Sequence, residues 1–293
     1  MIGRSLSPKL DEMMRRQLMD GGARPEDFLE PVGEPALVSA DSVSWIVFAN
    51  PVTLIIGGIA AVILELAEPK VRSGVWDHTT FRTDPLKRMR RTGAAAMVTV
   101  YAARSRATRM IGGVRRMHDK VEGTTPDGIP YQANDPELLR WVHSTAAFGF
   151  LEAYQQYVRP LSAAERDRYF AEGEPVARLY GAENPPACSA DWDELVAAML
   201  PRLEPSAILS EFLSIMKNLP LLPGPLRPLN GWFVSAAIDL LPDEVCRRLE
   251  LPKGAMIPGS RAALRFAARR AEKLELSTSP RSQARIRMGI PSS

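Results

Sequence analysis

The sequence contains few of the residues on which metal and disulfide sites depend. Its 293 residues include only 3 histidines and 2 cysteines. The cysteines, Cys188 and Cys246, lie far apart, and no CxxC pair or Cys/His spacing typical of a zinc site is present. A disulfide framework is therefore excluded, and a reducing cytoplasmic compartment is the expected location.

Several common functional motifs are also missing. The chain has no GxSxG, HExxH or GxGxxG motif and no glycine-rich phosphate loop. Its net charge is only +3, and the densest basic cluster, at residues 87–91, is too short to indicate a nucleic-acid-binding tail. The N-terminal residues lack the apolar core of a signal peptide. Nucleic acid is therefore not an expected partner.

The chain has no apolar run of membrane-spanning length. Its most apolar segment, residues 51–67, includes Glu65 and two adjacent glycines. A membrane helix needs about 20 predominantly apolar residues. The segment is predicted to be a buried core helix, although a weak association of this helix with a membrane surface stays open.

The patterns that are present indicate an all-α protein. No segment alternates with a period of two over six or more residues, and 25 well-spread prolines suggest short connections between helices. We expect a single multi-helix domain at residues 41–276, an N-terminal helix and arm at 1–40 and a mobile tail at 277–293. The predicted helices cover residues 8–20, 51–67, 85–101, 106–121, 136–158, 162–181, 191–200, 206–218, 232–240, 243–249 and 260–274, with a loop at 123–128 and a proline-rich turn at 220–228.

All three histidines, His78, His118 and His143, fall within residues 72–145. On a helical wheel His118 joins an apolar stripe, which places its side chain towards the interior. Gly112 and Gly113 precede it, and each glycine costs about 1 kcal/mol of helix stability relative to alanine. Two glycines here are explained if a flat or bulky group approaches the backbone. The stripe consists of Ala103, Ala107, Met110, Val114, His118 and Val121.

These residues could bind a haem. A haem needs a neutral imidazole, an apolar surface and cations for its two propionates. His118 could supply the first, the 51–67 helix the second, and Arg88, Arg91 or Arg115 the third, because guanidinium groups pair well with carboxylates. From residue types alone, a hydrogen-bonded core histidine and a solvated arginine-rich helix face are the more common interpretation.

Three segments of the sequence resemble those of the family of latex-clearing proteins and MpaB-type oxygenases. They are GVWDHTTFRTDPLKRMRRT at residues 74–92, RRMHDKVEG at 115–123 and DGIPYQANDPELLRWVHST at 127–145. The resemblance implies an all-α fold with a globin-like core and a haem b cofactor. It also implies dioxygen-dependent cleavage of carbon–carbon double bonds in an isoprenoid-like or other hydrophobic substrate.

The resemblance also assigns roles by position. His118 would be the proximal iron ligand, with His143 as the second candidate. Arg88, Arg91 and Thr92 match the family's R-x-x-K-T element, but Arg91 replaces the lysine, and an arginine does not lose its proton to cap the iron. His78 is the expected hydrogen-bond donor to bound oxygen.

No glutamate matches the general base of the rubber-cleaving members, although Glu65 and Glu68 lie nearest to its position. Rubber is therefore not the expected substrate. The alternative function is a non-catalytic helical protein that binds a lipid or a partner and does not use the haem site.

Overall fold

The computed structural model describes residues 19–220, 227, 229–274 and 276–291. The helix expected at residues 8–20 and the turn at 220–228 lie almost entirely outside these residues. In the part described, the fold is all-α, as predicted. The globin-like arrangement of its core and the division into domains stay predictions.

The described residues form fourteen α-helices and one short 3-10 helix. Their bounds are α1 Pro25–Leu29, α2 Val43–Val47, α3 Pro51–Ala67, α4 Pro69–His78, α5 Pro85–Tyr101, α6 Arg104–His118, α7 Pro136–Tyr157, α8 Ala163–Tyr180, α9 Ser189–Met199, the 3-10 helix Leu200–Arg202, α10 Ala207–Asn218, α11 Asn230–Leu240, α12 Asp243–Arg248, α13 Ser260–Ala271 and α14 Pro280–Arg287.

Capping side chains set the starts of the helices around the site. Asp84 accepts a hydrogen bond from the backbone N–H of Lys87 at the start of α5, and Asp135 caps α7 in the same way. Ser162 and Glu165 form the reciprocal capping box at the start of α8. These capping side chains account for the starts of the helices that the sequence predicted at residues 85, 136 and 162.

Helices α3 and α7 pack together in the middle of the main hydrophobic cluster. They cross where Gly57 meets Gly149, so closely that a Cβ on Gly57 would lie 2.5 Å from the carbonyl oxygen of Gly149. Ten of the 17 residues of α3 are buried, which confirms the prediction of a core helix. Among the described residues no single helix meets the length and composition needed to cross a membrane; α3 and α4 together would, but a bend of 109° separates them.

A two-stranded antiparallel hairpin joins α6 to α7, where the sequence predicted only a loop. Strand β1 covers Glu122–Thr124 and pairs with β2, Pro130–Gln132. Gly123 lies opposite Tyr131, and a Cβ on this glycine would lie 2.6 Å from the tyrosine hydroxyl. Three-residue strands are too short to produce a detectable alternation, which explains why the sequence did not reveal them.

The C-terminal segment differs from the expected mobile tail, because residues 280–287 form α14 and pack against α1 and α5. Arg287 is only 1% exposed. Its guanidinium donates hydrogen bonds to the backbone oxygens of Phe28 and Glu34, at 2.7 and 2.9 Å. The basic residues of this segment suggested a solvent-exposed tail. Arg287 instead donates hydrogen bonds to backbone carbonyls of the N-terminal arm.

Candidate functional site

Helix α5 turns one of its arginines inward and another outward. Arg88 is half-buried, whereas Arg91 and Thr92 are exposed. The Arg88 guanidinium donates a hydrogen bond to the Thr92 hydroxyl, which itself donates to the Arg88 backbone oxygen at 3.0 Å. Burial lowers the pKa of Arg88, and a nearby Glu65 opposes that shift. Of the R-x-x-R-T element, Arg88 is thus the side chain directed at the interior.

Glu65 lies near the C-terminal end of α3 and interacts electrostatically with Arg88. Burial raises the pKa of the Glu65 carboxyl to about 7, and the charge of Arg88 partly opposes this rise. Because that pKa is close to neutrality, the carboxyl can both hold and release a proton under ordinary conditions. Glu65 is the only charged residue of α3, and this isolation in an apolar helix is the sequence signal that identifies it.

His118 is the last residue of α6 and lies within the electrostatic reach of Arg88. Burial lowers the pKa of its imidazole; Arg88 lowers it further, while Asn134 and Asp119 raise it. Its Nδ1 atom is buried and has no hydrogen-bond partner among the described residues. A neutral imidazole with an unused ring nitrogen is the form that binds a metal ion.

Asn134 fixes the end of α6 beside His118. Its amide nitrogen donates hydrogen bonds to the Arg115 backbone oxygen at 3.0 Å and to the Asp119 carboxylate at 2.6 Å. Its role in holding α6 against the beginning of α7 depends on the hairpin that brings the two helices together.

His143 occupies a different position, on α7 opposite α8. Burial lowers the pKa of its imidazole to about 4, so the ring is neutral at physiological pH. The ring lies against Gly173, where a Cβ would be 3.2 Å from Nε2. No hydrogen bond of either ring nitrogen is present among the described residues.

Glu65 and His143 are both half-buried, and burial is the main cause of the pKa shift of each. The surface of α6 is open at two glycines, because a Cβ on Gly112 or Gly113 would meet only the guanidinium of Arg116, at 3.4 and 3.8 Å.

Two of the predicted site residues, His78 and Arg115, lie apart from Glu65, Arg88 and His118. His78, at the end of α4, is exposed, and its Nε2 lies 3.1 Å from the hydroxyl of Tyr131. Arg115 is exposed beside Gly181 at the end of α8, with its guanidinium carbon 3.7 Å from the position of a Cβ on that glycine. The structure thus groups Glu65 and His118 around Arg88, while His78 and Arg115 lie against the hairpin and α8.

Other candidates have structural roles. The Glu68 carboxylate caps α4 and pairs with Arg202 at 2.8 Å. Trp76 and Trp141 are buried in the main hydrophobic cluster. In the part of the chain that the structure describes, no group of three or more His, Cys, Asp and Glu side chains could hold a metal ion.

Comparison with known proteins gave one match. A family model described as "ER-bound oxygenase mpaB/B'/Rubber oxygenase, catalytic domain" matches residues 45–272, a range that includes Glu65, Arg88, His118 and His143. No curated protein and no solved structure matches the chain.

Proposed function

Since this chain belongs to the family of ER-bound MpaB oxygenases and rubber oxygenases, we propose that it is a haem-b-dependent oxygenase. Its proposed reaction is the cleavage of a carbon–carbon double bond in a hydrophobic substrate by dioxygen. Family membership supports the oxygenase function. The observation that supports a haem is the half-buried His118, whose pKa is lowered by burial and by Arg88 and whose Nδ1 is buried without a hydrogen-bond partner among the described residues.

The residues present fit a haem. His118 would hold the iron through its imidazole, and Arg88 or Arg115 would pair with the carboxylates of the haem. A haem with one histidine ligand supplies activation of dioxygen when it is bound.

The protein's own acid–base group in this proposal is Glu65. A carboxyl with a pKa of about 7 can take a proton from a substrate and return it at neutral pH. Arg88 stabilises the ionised form of Glu65. Arg91 is exposed and, unlike the family's lysine, stays charged, so it offers no neutral amine to the iron.

For His78 to act as the proposed hydrogen-bond donor to oxygen, its side chain must first move away from the Tyr131 hydroxyl. Its Nε2 is already paired with the Tyr131 hydroxyl. Family membership is the observation that supports a hydrophobic substrate.

Haem titration of the purified protein tests the ligand. We expect one equivalent of haem to give a Soret band in the wild type, and His118→Ala to abolish or shift that band because the axial nitrogen is lost. His143→Ala is the comparison variant and should retain the wild-type spectrum. Circular dichroism of both apoproteins checks that the helices remain.

Two outcomes would redirect the proposal. An unchanged spectrum in His118→Ala, together with loss of the band in His143→Ala, would transfer the ligand role to His143. Weak and non-stoichiometric haem uptake by the wild type would favour the alternative of a non-catalytic helical protein that binds a lipid or a partner. The exposed Arg91, in place of the family's lysine, is the observation that favours this alternative.

A further inference from the structure

Helix α13 carries an exposed aromatic side chain in the middle of its solvent face. Phe266 is 65% exposed. On the helix it lies nearly opposite Leu264 and Ala268, which are buried in the main hydrophobic cluster. This ring therefore contributes little to the packing of the core.

Cations surround this phenylalanine. The Arg270 guanidinium lies 5.3 Å from the Phe266 ring, and Arg269 and Lys273 are exposed on the same side of the helix. None of these three cations forms a salt bridge with another described residue. The nearby carboxylate, Glu272, faces inward and accepts hydrogen bonds from Asn50 and Tyr154.

Two more apolar side chains lie at the ends of the helix. Ile257 precedes α13 and is 62% exposed, and Leu274 follows it and is 48% exposed. Arg265 donates a hydrogen bond from Nε to the backbone oxygen of Gln156 in α7, and Arg269 donates one to that of Val158, which directly follows α7. The arginine stems are thus fixed at the side of the helix, while the apolar residues project outward.

We propose that this face of α13, defined by Ile257, Phe266, Arg269, Arg270, Lys273 and Leu274, binds the surface of an anionic lipid bilayer. At a bilayer surface the exposed apolar side chains would enter the headgroup region, and the neighbouring cations would pair with anionic headgroups. A nucleic acid would pair with the cations but leave Ile257 and Leu274 without a role. A second copy of the chain, docked by the same face, would bring like charges together.

The lipid surface is independent of the candidate oxygenase site. Asn50, at the start of α3, donates a hydrogen bond to the Ala268 backbone oxygen and so ties α13 to that end of α3. Glu65 lies at the other end, roughly 20 Å away along the helix. Loss of lipid binding and loss of haem binding are therefore separately measurable.

Sedimentation with phospholipid vesicles tests the proposal. The full chain should bind phosphatidylcholine vesicles that contain about 30% phosphatidylserine, and should bind pure phosphatidylcholine at least about tenfold more weakly. Phe266→Ala should weaken binding to the anionic vesicles about tenfold. The double variant Arg270→Gln with Lys273→Gln should weaken it about 30-fold and reduce its dependence on salt.

Matched controls remove one exposed apolar residue and one exposed cation elsewhere. Val32→Ala and Arg109→Gln lie outside α13 and should bind like the wild type. Equal loss in these controls would overturn the proposal, because it would show a non-specific charge effect. It would also be overturned by wild-type binding in Phe266→Ala, by duplex DNA binding that ignores Phe266, or by a dimer that this substitution dissociates in the absence of lipid.

Discussion

Glu65 is a carboxyl whose protonation is coupled to folding. Its pKa is about 7 in the folded protein against 4.5 for an ordinary glutamate. The folded state therefore holds the proton more tightly, and the associated stability is complete below about pH 4.5 and is lost as the pH rises to about 7, by up to about 3 kcal/mol. We expect Glu65→Gln to remove this loss, which denaturant unfolding at several pH values measures.

The relevant comparison is the effect of Glu65→Gln at two pH values. The variant should gain stability relative to the wild type at about pH 8 and gain much less at about pH 4.5. Glu194→Gln, which changes an exposed glutamate, is the matched control and should show no such difference. A stability change of equal size at both pH values would rule out the coupled proton.

His143 has the opposite effect on stability. Its pKa falls from 6.5 to about 4 in the folded protein, so stability is present above about pH 6.5 and is lost as the pH falls towards 4. The two groups oppose each other over the same range, and the wild type alone can show an almost flat profile. The effect of Glu65 is therefore visible only by comparison with its variant.

At this scale, some site features could be predicted from the sequence and others could not. The inward direction of His118 followed from its position in a stripe with a helical period. The meeting of Glu65 and Arg88 did not, because they lie on separate helices and α4 intervenes between them. Only the tertiary arrangement of the helices brings this carboxyl and this guanidinium within electrostatic reach.

Among the elements, the crossing of α3 and α7 depends on one of two adjacent glycines. A Cβ on Gly57 would lie 2.5 Å from a backbone oxygen of α7, whereas a Cβ on Gly58 would meet only the Phe150 ring, at 3.9 Å. We expect Gly57→Ala to destabilise the protein by about 2–4 kcal/mol, because two backbones must separate. Denaturant unfolding of the purified variant measures this change.

Gly58→Ala provides the matched control in the same helix. Its new methyl group makes an ordinary contact, so it should leave stability unchanged or raise it by up to about 1 kcal/mol through helix propensity. If both variants were equally stable, the close backbone approach would not exist in solution. The sequence predicted the helix but showed two equivalent glycines, since only the partner helix distinguishes them.

At the scale of the whole molecule, Arg287 joins the two ends of the described chain. Its guanidinium binds backbone oxygens in the N-terminal arm, and its own carbonyl accepts a hydrogen bond from Gly33 at 2.7 Å. The sequence suggested a mobile tail here because its residues are polar and basic. Composition does not indicate which arginine will donate hydrogen bonds to backbone carbonyls that are far away in the sequence.

Substitution of Arg287 should therefore lower the stability of both ends of the described chain. Arg287→Ala leaves the backbone oxygens of Phe28 and Glu34 without their donors, and we expect a loss of about 3 kcal/mol in the free energy of unfolding. Limited proteolysis should also become faster in residues 28–41.

Ile286→Ala is the control, since that neighbouring side chain is 65% exposed and its removal should cost less than about 0.5 kcal/mol. If Arg287→Ala unfolds like this control, α14 is not part of the same cooperative unit as the helical core; if it unfolds earlier in one transition, both ends of the chain fold together with that core.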